Sequence, residues 1–257
     1  MFTAQLITSF IAGGFFIALQ TLISERVPNK WKGIILTIPS TMSLGLLFIG
    51  LSKFPLDAAE AAIMIPTSTA ISYSFVTLFA LTITLGLISA FALSLTLWAL
   101  LAYLFLTFPP ENFLISILYE IPVIAVTYFL VHKLPKIPKL KIFPMNFKHI
   151  TVRAIIGGTI IALAVFLSKT LGNSWGGLFS AFPAVFSSTF IIYYYLQGPR
   201  AIPSVAKSFF FPGIIGFNIY AYIASLTFPL YGIWIGTLAS YLATFAFFCV
   251  WNITQKS

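Results

Sequence analysis

The chain has 257 residues, of which 60% are hydrophobic and only 7% are charged, with a formal net charge of +9. Soluble domains carry about 25% charged residues, so this composition excludes a water-soluble globular protein and predicts an integral membrane protein in contact with the lipid bilayer. In such a protein the positive charge indicates basic cytoplasmic loops rather than binding to nucleic acid. The single cysteine excludes an internal disulfide, and we expect no cofactor and no metal site.

The apolar segments predict an all-α, multi-pass protein, because about 20 apolar residues cross a bilayer as a helix. A long uncharged stretch, residues 61–107, is divided near Leu81–Thr84, and Pro109-Pro110 mark the clearest break. The sequence therefore predicts about nine transmembrane helices, at residues 3–24, 33–52, 61–80, 83–107, 113–131, 150–171, 177–196, 208–227 and 229–252.

The basic residues predict the orientation of these helices. If the N-terminus is outside, 12 of the 14 Lys and Arg residues fall on the inner side, and only Lys53 and Lys169 fall outside. Cytoplasmic loops are enriched in Lys and Arg, so the sequence predicts a plasma-membrane protein with its N-terminus outside and its C-terminus cytoplasmic.

The sequence also repeats itself. Residues 13–43 match residues 157–187 at 11 of 31 positions without a gap, and the matches include a Gly-Gly pair, an Asn-x-Trp-x-Gly motif and a proline. Further along, at a spacing of 146 residues, Pro66 matches Pro212 and Gly86 matches Gly232. Duplicated membrane units of this kind are typical of transporters.

The repeat divides the chain into four parts. Residues 1–108 form the first four-helix repeat, 109–132 a linking transmembrane helix, 133–149 a basic cytoplasmic loop, and 150–257 the second repeat. An odd number of crossings separates equivalent helices, so the two repeats are expected to be inserted in opposite directions, a 4+1+4 arrangement.

Equivalent prolines, Pro39 and Pro183, interrupt the second helix of each repeat beside Ser and Thr residues. A proline within a helix frees a backbone carbonyl, and broken helices in inverted repeats often place such groups at a substrate site. The alternative is a simple kink whose hydroxyls bond to their own helix. The candidate substrate path consists of Gln20, Thr37, Pro39, Ser40, Ser43, Ser68, Ser72, Pro183, Ser187 and Asn218.

Glu120 is the only carboxylate well inside a predicted span. Acidic residues within the membrane are costly and mark proton or ion pathways, so Glu120 is the candidate coupling residue. The alternative is that it reaches outer water or a backbone donor, because it lies near the outer end of the helix that has no repeat partner.

These features predict a transporter or channel for a small neutral, zwitterionic or singly charged solute, with its path between the repeats and with possible proton or cation coupling. The alternative is a lipid-handling protein of flippase type, or a structural membrane subunit without its own transport path. Each of these functions is compatible with a homo-oligomer. Enzyme activity is not expected. The string Gly172-Asn-Ser-Trp-Gly176 matches the serine hydrolase G-x-S-x-G, but both histidines are predicted on the opposite side of the membrane.

Overall fold

The computed structural model describes residues 2–26, 38–134 and 146–254. Within these ranges the secondary structure is helical, with short turns between the helices and no strand. The α-helices are α1 (Phe2–Arg26), α2 (Ser40–Ser52), α3 (Pro55–Ile63), α4 (Ile65–Thr82), α5 (Leu87–Thr107), α6 (Phe113–Lys133), α7 (Phe147–Leu171), α8 (Asn173–Ser180), α9 (Ala184–Gln197) and α10 (Ile202–Thr254).

Seven helical segments of the described residues are long and apolar enough to cross a membrane. The difference from the nine predicted spans has two sources. The second predicted span is described only from residue 38 onward, and its helix α2 has 13 residues. The last two predicted spans lie in one apolar run, Phe210–Trp251, which is interrupted at Gly232.

The bundle is built around α4 and the α8–α9 segment. In each of these, 72% of the membrane-length window is buried, against 22–39% for the other candidate spans. Large apolar side chains on α5 and α6 are instead exposed, as expected for helices that face lipid; examples are Ile88, Leu104, Leu118 and Phe129. The interior between the helices is therefore formed mainly by α2, α4 and α9.

Helices α1 and α7 pack against each other in antiparallel directions through glycines. A Cβ atom built on Gly13 would lie 2.5 Å from Cδ1 of Ile161, and one built on Gly157 would collide with the side chain of Ile17. Gly13 and Ile17 are the repeat equivalents of Gly157 and Ile161. Each helix thus inserts the same isoleucine over the other helix's glycine, and this reciprocal contact requires a residue without a side chain.

Two matching glycines break the helices near the end of each repeat. Gly86 has φ 101° and ψ 156°, and Gly232 has φ 77° and ψ 173°. Side chains disfavour this region of backbone space, so glycine is required at both positions. The first break follows a short 3₁₀ turn at Ile83–Leu85, next to the boundary predicted near Leu81–Thr84.

Candidate functional site

The two equivalent prolines each stand directly before the first residue of a helix. Pro39 precedes α2 with φ −73° and ψ 61°, and Pro183 precedes α9 with φ −73° and ψ 44°. Neither ψ is helical, and in the second repeat the chain between Ser180 and Ala184 leaves the helix altogether. Both α2 and α9 therefore begin inside the bundle, surrounded by buried residues.

The same local backbone hydrogen bond occurs at the start of both helices. The amide of Ser40 donates to the carbonyl of Ile38 over 2.7 Å, and the amide of Ala184 donates to the carbonyl of Phe182 over the same distance. These four residues occupy equivalent positions at a spacing of 144. The same local conformation therefore starts both helices.

Polar side chains from other helices satisfy carbonyl groups at the breaks. Ser72 on α4 donates a 2.6 Å hydrogen bond to the carbonyl of Ala181, and the amide of Gln20 on α1 donates a 3.3 Å bond to the carbonyl of Ile38. A buried carbonyl that leaves a helix needs such a donor in an apolar environment. Two of the predicted path residues, Ser72 and Gln20, thus donate to backbone carbonyls next to Pro183 and Pro39.

A small cavity lies where the starts of α2 and α9 meet. Its volume is about 20 Å³, which is close to the space that a single water molecule needs. Its walls come from the chain around Pro39, the chain around Pro183 and α10, and consist of Ile38, Ser40, Thr41, Ala181, Phe182, Pro183, Val185, Phe186, Gly213 and Phe217.

Glu120 on α6 is buried and contacts a second predicted site residue. Its Oε2 atom accepts a 2.6 Å hydrogen bond from the side-chain amide of Asn218 on α10, and the Glu120 side chain is only 4% exposed. Among the described residues, Glu120 Oε1 and Asn218 Oδ1 have no hydrogen-bond partner. A buried carboxyl group with one bonded and one unbonded oxygen can still bind a proton or a cation.

Tyr73 packs beside the cavity. It lies on α4, and its ring packs edge-on against Phe186, which lines the cavity, at a centroid distance of 5.4 Å. A Cβ atom on Gly213, which also lines the cavity, would collide with the Tyr73 hydroxyl. The glycine thus makes room for the hydroxyl group at the edge of the cavity.

The other predicted path residues are buried in dry helix packing. Ser68 and Ser187 donate to carbonyls of their own helices, at Met64 and Pro183. Ser43 forms a short hydrogen bond with the hydroxyl of Tyr241 on α10. These three hydroxyls therefore do not line an open path in this conformation, and Thr37 lies outside the described residues.

Arg153 lies within α7, although its charge was assigned to an inner loop from the sequence. Its side chain is 4% exposed and donates a 2.7 Å hydrogen bond to the hydroxyl of Thr189 on α9. It lines a second cavity of about 10 Å³, beside the first turn of α9, with Gln20, Thr21 and Ser188. Sequence position alone could not separate a buried arginine near a helix end from a loop residue.

A polar network centred on Asn173 joins the two halves of the chain. Its side-chain amide donates to Asp57 over 2.9 Å and to Glu60 over 2.7 Å, while its Oδ1 accepts from Lys53 over 2.6 Å. Lys53 also pairs with Asp57 at 2.8 Å. Burial alone would raise the pKa of Asp57, but the hydrogen bonds from Lys53 and Asn173 outweigh it and the pKa is lowered.

Two features of the sequence signalled parts of this arrangement. The repeated Asn-x-Trp-x-Gly motif contains Asn173, but its role as a hub depends on Lys53 and Asp57, which are more than 110 positions away. Tyr73 was not among the predicted path residues, although it lies one position after Ser72, which was. No group of three His, Cys, Asp or Glu side chains that could hold a metal occurs among the described residues.

Comparison with known proteins gives one match. A family model described as a protein of unknown function, DUF3147, matches residues 150–255. No curated protein and no solved structure matches the chain. The matched segment coincides almost completely with residues 150–257, the predicted second repeat.

Proposed function

We propose that the protein is a membrane transporter or channel for a small solute, with its path between two inverted repeats. The observation that carries this proposal is that two helices, which begin directly after Pro39 and Pro183, line one cavity inside an apolar bundle. Free backbone groups within a membrane bundle are tolerated where they line a site or cavity. Alternating access would open this cavity to each side of the membrane in turn.

The proposed architecture is nine crossings in a 4+1+4 arrangement. It is supported by the antiparallel, reciprocal contact of Gly13 with Ile161 and of Gly157 with Ile17. The equal backbone conformations of Gly86 and Gly232 support it too. The family match to residues 150–255 is what a separable second unit would give. In this arrangement α6 links the units, the N-terminus lies outside the plasma membrane, and the C-terminus is cytoplasmic.

The proposed coupling group is Glu120. It lies on the linking helix and accepts a hydrogen bond from Asn218, an uncharged residue in the second unit. A proton or a cation that binds Glu120 would change its bond to Asn218, and so would connect binding to a movement between the units.

The proposal can be tested by solute-driven swelling of proteoliposomes, followed by light scattering. The solutes would be urea, glycine, potassium chloride and potassium acetate. We expect at least one to enter faster than into protein-free liposomes. Thr41→Leu, which fills the cavity, should abolish the difference, and Thr96→Leu, on an exposed face of α5, should keep it. Equal swelling of protein-free and wild-type liposomes with all four solutes would contradict the proposal.

A second candidate function is lipid handling. A groove of about 400 Å³ lies between α4, α5 and α6 and is open at its side. Its lining is apolar apart from Ser74, Thr77 and Thr127, and α6 continues from it to Lys133, the first residue of the basic segment 133–149. One acyl chain would fit the groove with its headgroup toward Lys133. Native mass spectrometry would detect a retained phospholipid, and Val126→Trp should expel it.

A further inference from the structure

The first turns of α2 and α9 line the same cavity. These helices have 13 and 14 residues, and no side chain caps either N-terminus. The first amides, of Ser40 and Ala184, donate to the carbonyls of Ile38 and Phe182, but the next N–H groups of each first turn have no partner within their helix, and the helix dipole places a partial positive charge there. The cavity thus lies at the positive ends of two helices at once, one from each half of the chain.

Two hydroxyl groups in this cavity are available to a ligand. Ser40 and Thr41 line it and are only 2% and 6% exposed. Neither hydroxyl forms a hydrogen bond with another described residue. Buried hydroxyls are nearly always bonded, so these two donors call for an acceptor that enters the cavity.

The charged side chain in the neighbouring cavity is positive, as are the N-terminal ends of α2 and α9. Arg153 lines the neighbouring cavity together with Ala184 and Val185 of the first turn of α9, and Val185 lines both cavities. A cation beside a helix N-terminus is unfavourable unless negative charge is also present. No acidic residue occurs among the described residues that line either cavity.

We propose that this cavity binds one small monovalent anion of halide size, held by the N-termini of α2 and α9 and by the hydroxyls of Ser40 and Thr41. This inference rests on the proposed function and names its substrate class. A volume of about 20 Å³ fits a single ion of about the size of water and excludes sulfate, phosphate and organic acids. No lysine or arginine lines the cavity, so a multivalent anion would lack its counter-charge.

Isothermal titration calorimetry tests the binding directly. Fluoride and chloride would each be titrated into purified protein in a gluconate buffer of constant ionic strength, with sulfate as the oversized anion. We expect saturable binding of at least one halide and none of sulfate. Because hydrogen bonds to a charge contribute more than neutral ones, Ser40→Ala and Thr41→Val should each weaken halide binding about ten-fold.

The control variant is Ser94→Ala, which removes a buried hydroxyl that bonds to its own helix on α5. It should bind halide as the wild type does. Size-exclusion chromatography of every variant separates loss of the site from loss of folding. Absence of halide binding by the folded wild type, or unchanged binding by a folded Ser40→Ala, Thr41→Val double variant, would overturn the proposal.

Halide efflux from proteoliposomes, measured with an ion-selective electrode, separates this inference from the proposed function. Binding without efflux would leave the anion site in place and contradict transport. Entry of a neutral solute without halide binding would support transport and overturn the anion site. Binding together with efflux, lost in the double variant, would support both.

Discussion

The side-chain amide of Asn218 donates a 2.6 Å hydrogen bond to the carboxyl group of Glu120. The two residues are 98 positions apart and lie on α6 and α10. This bond joins the predicted linking helix to the second predicted repeat at a buried point. A substitution of Glu120 therefore tests the proposed coupling.

Replacing Glu120 with Gln should remove the pH dependence of halide efflux from proteoliposomes. Gln cannot bind a proton, but it has nearly the same shape and can still accept a hydrogen bond from Asn218. The measurement is the efflux rate between pH 5 and pH 8, expressed relative to pH 7 for each protein. Glu111→Gln, at an exposed carboxylate, is the matched control and should keep the wild-type profile. Identical profiles for Glu120→Gln and the wild type would dismiss Glu120 as the coupling group.

The contact between α1 and α7 should not tolerate added side chains. Gly13→Val and Gly157→Val should each destabilise the protein by about 1–3 kcal/mol, because the new side chain would overlap Ile161 or Ile17. Thermal unfolding in detergent measures the loss, and Ala99→Val on an exposed face of α5 should leave the melting temperature almost unchanged. A similar melting temperature for all three variants would show that the helices are not in close contact.

The two glycines with positive φ should respond alike to substitution. Gly86→Ala and Gly232→Ala should each cost about 1–2 kcal/mol, because an L-residue is strained in this conformation. No atom lies within 4 Å of the position that the added Cβ would occupy at either site, so the expected cost is backbone strain and not overlap. Paired thermal unfolding curves provide the comparison. A clear loss at one glycine and none at the other would argue against equivalent roles.

The network around Asn173 should make stability depend on acid. The lowered pKa of Asp57 means that its ionised form stabilises the fold. This contribution is present above the ordinary value of 3.8 and is lost as the pH falls through the lowered pKa. Asp57→Asn should therefore lower the melting temperature at pH 6, by the small amount expected of a partly exposed pair, and the difference should disappear near pH 2. A difference that does not depend on pH would contradict this role.

The sequence predicted those parts of the site that depend on local backbone chemistry. Pro183 lies in the interruption between α8 and α9, and Pro39 directly precedes α2, because proline lacks an amide hydrogen and is disfavoured inside a helix. Gly86 and Gly232 were matched by spacing alone, and both adopt the conformation that glycine favours.

The remaining parts depend on contacts between distant helices, which periodicity cannot identify. A helical face shows which residues lie together on one helix, but it does not show that Asn218 bonds to Glu120 or that Ser72 bonds to the carbonyl of Ala181. Ser68 and Ser72 are four positions apart and so lie on one face of α4, yet Ser68 bonds to the carbonyl of Met64, one turn earlier in the chain. Most residues around the site are apolar, as they are in the rest of the bundle. Residue type therefore does little to distinguish the site from the packing around it.

The most direct test of the account is the sidedness of equivalent positions in the two repeats. Thr84 and Leu230 occupy matching positions at a spacing of 146, and both are exposed. Single cysteines at these positions, in a Cys249→Ser background, would be labelled in intact cells with a membrane-impermeant maleimide. The account predicts that Leu230→Cys is labelled without permeabilisation and that Thr84→Cys is labelled only after it. Labelling of both positions from the same side would contradict the inverted arrangement and the path proposed between its halves.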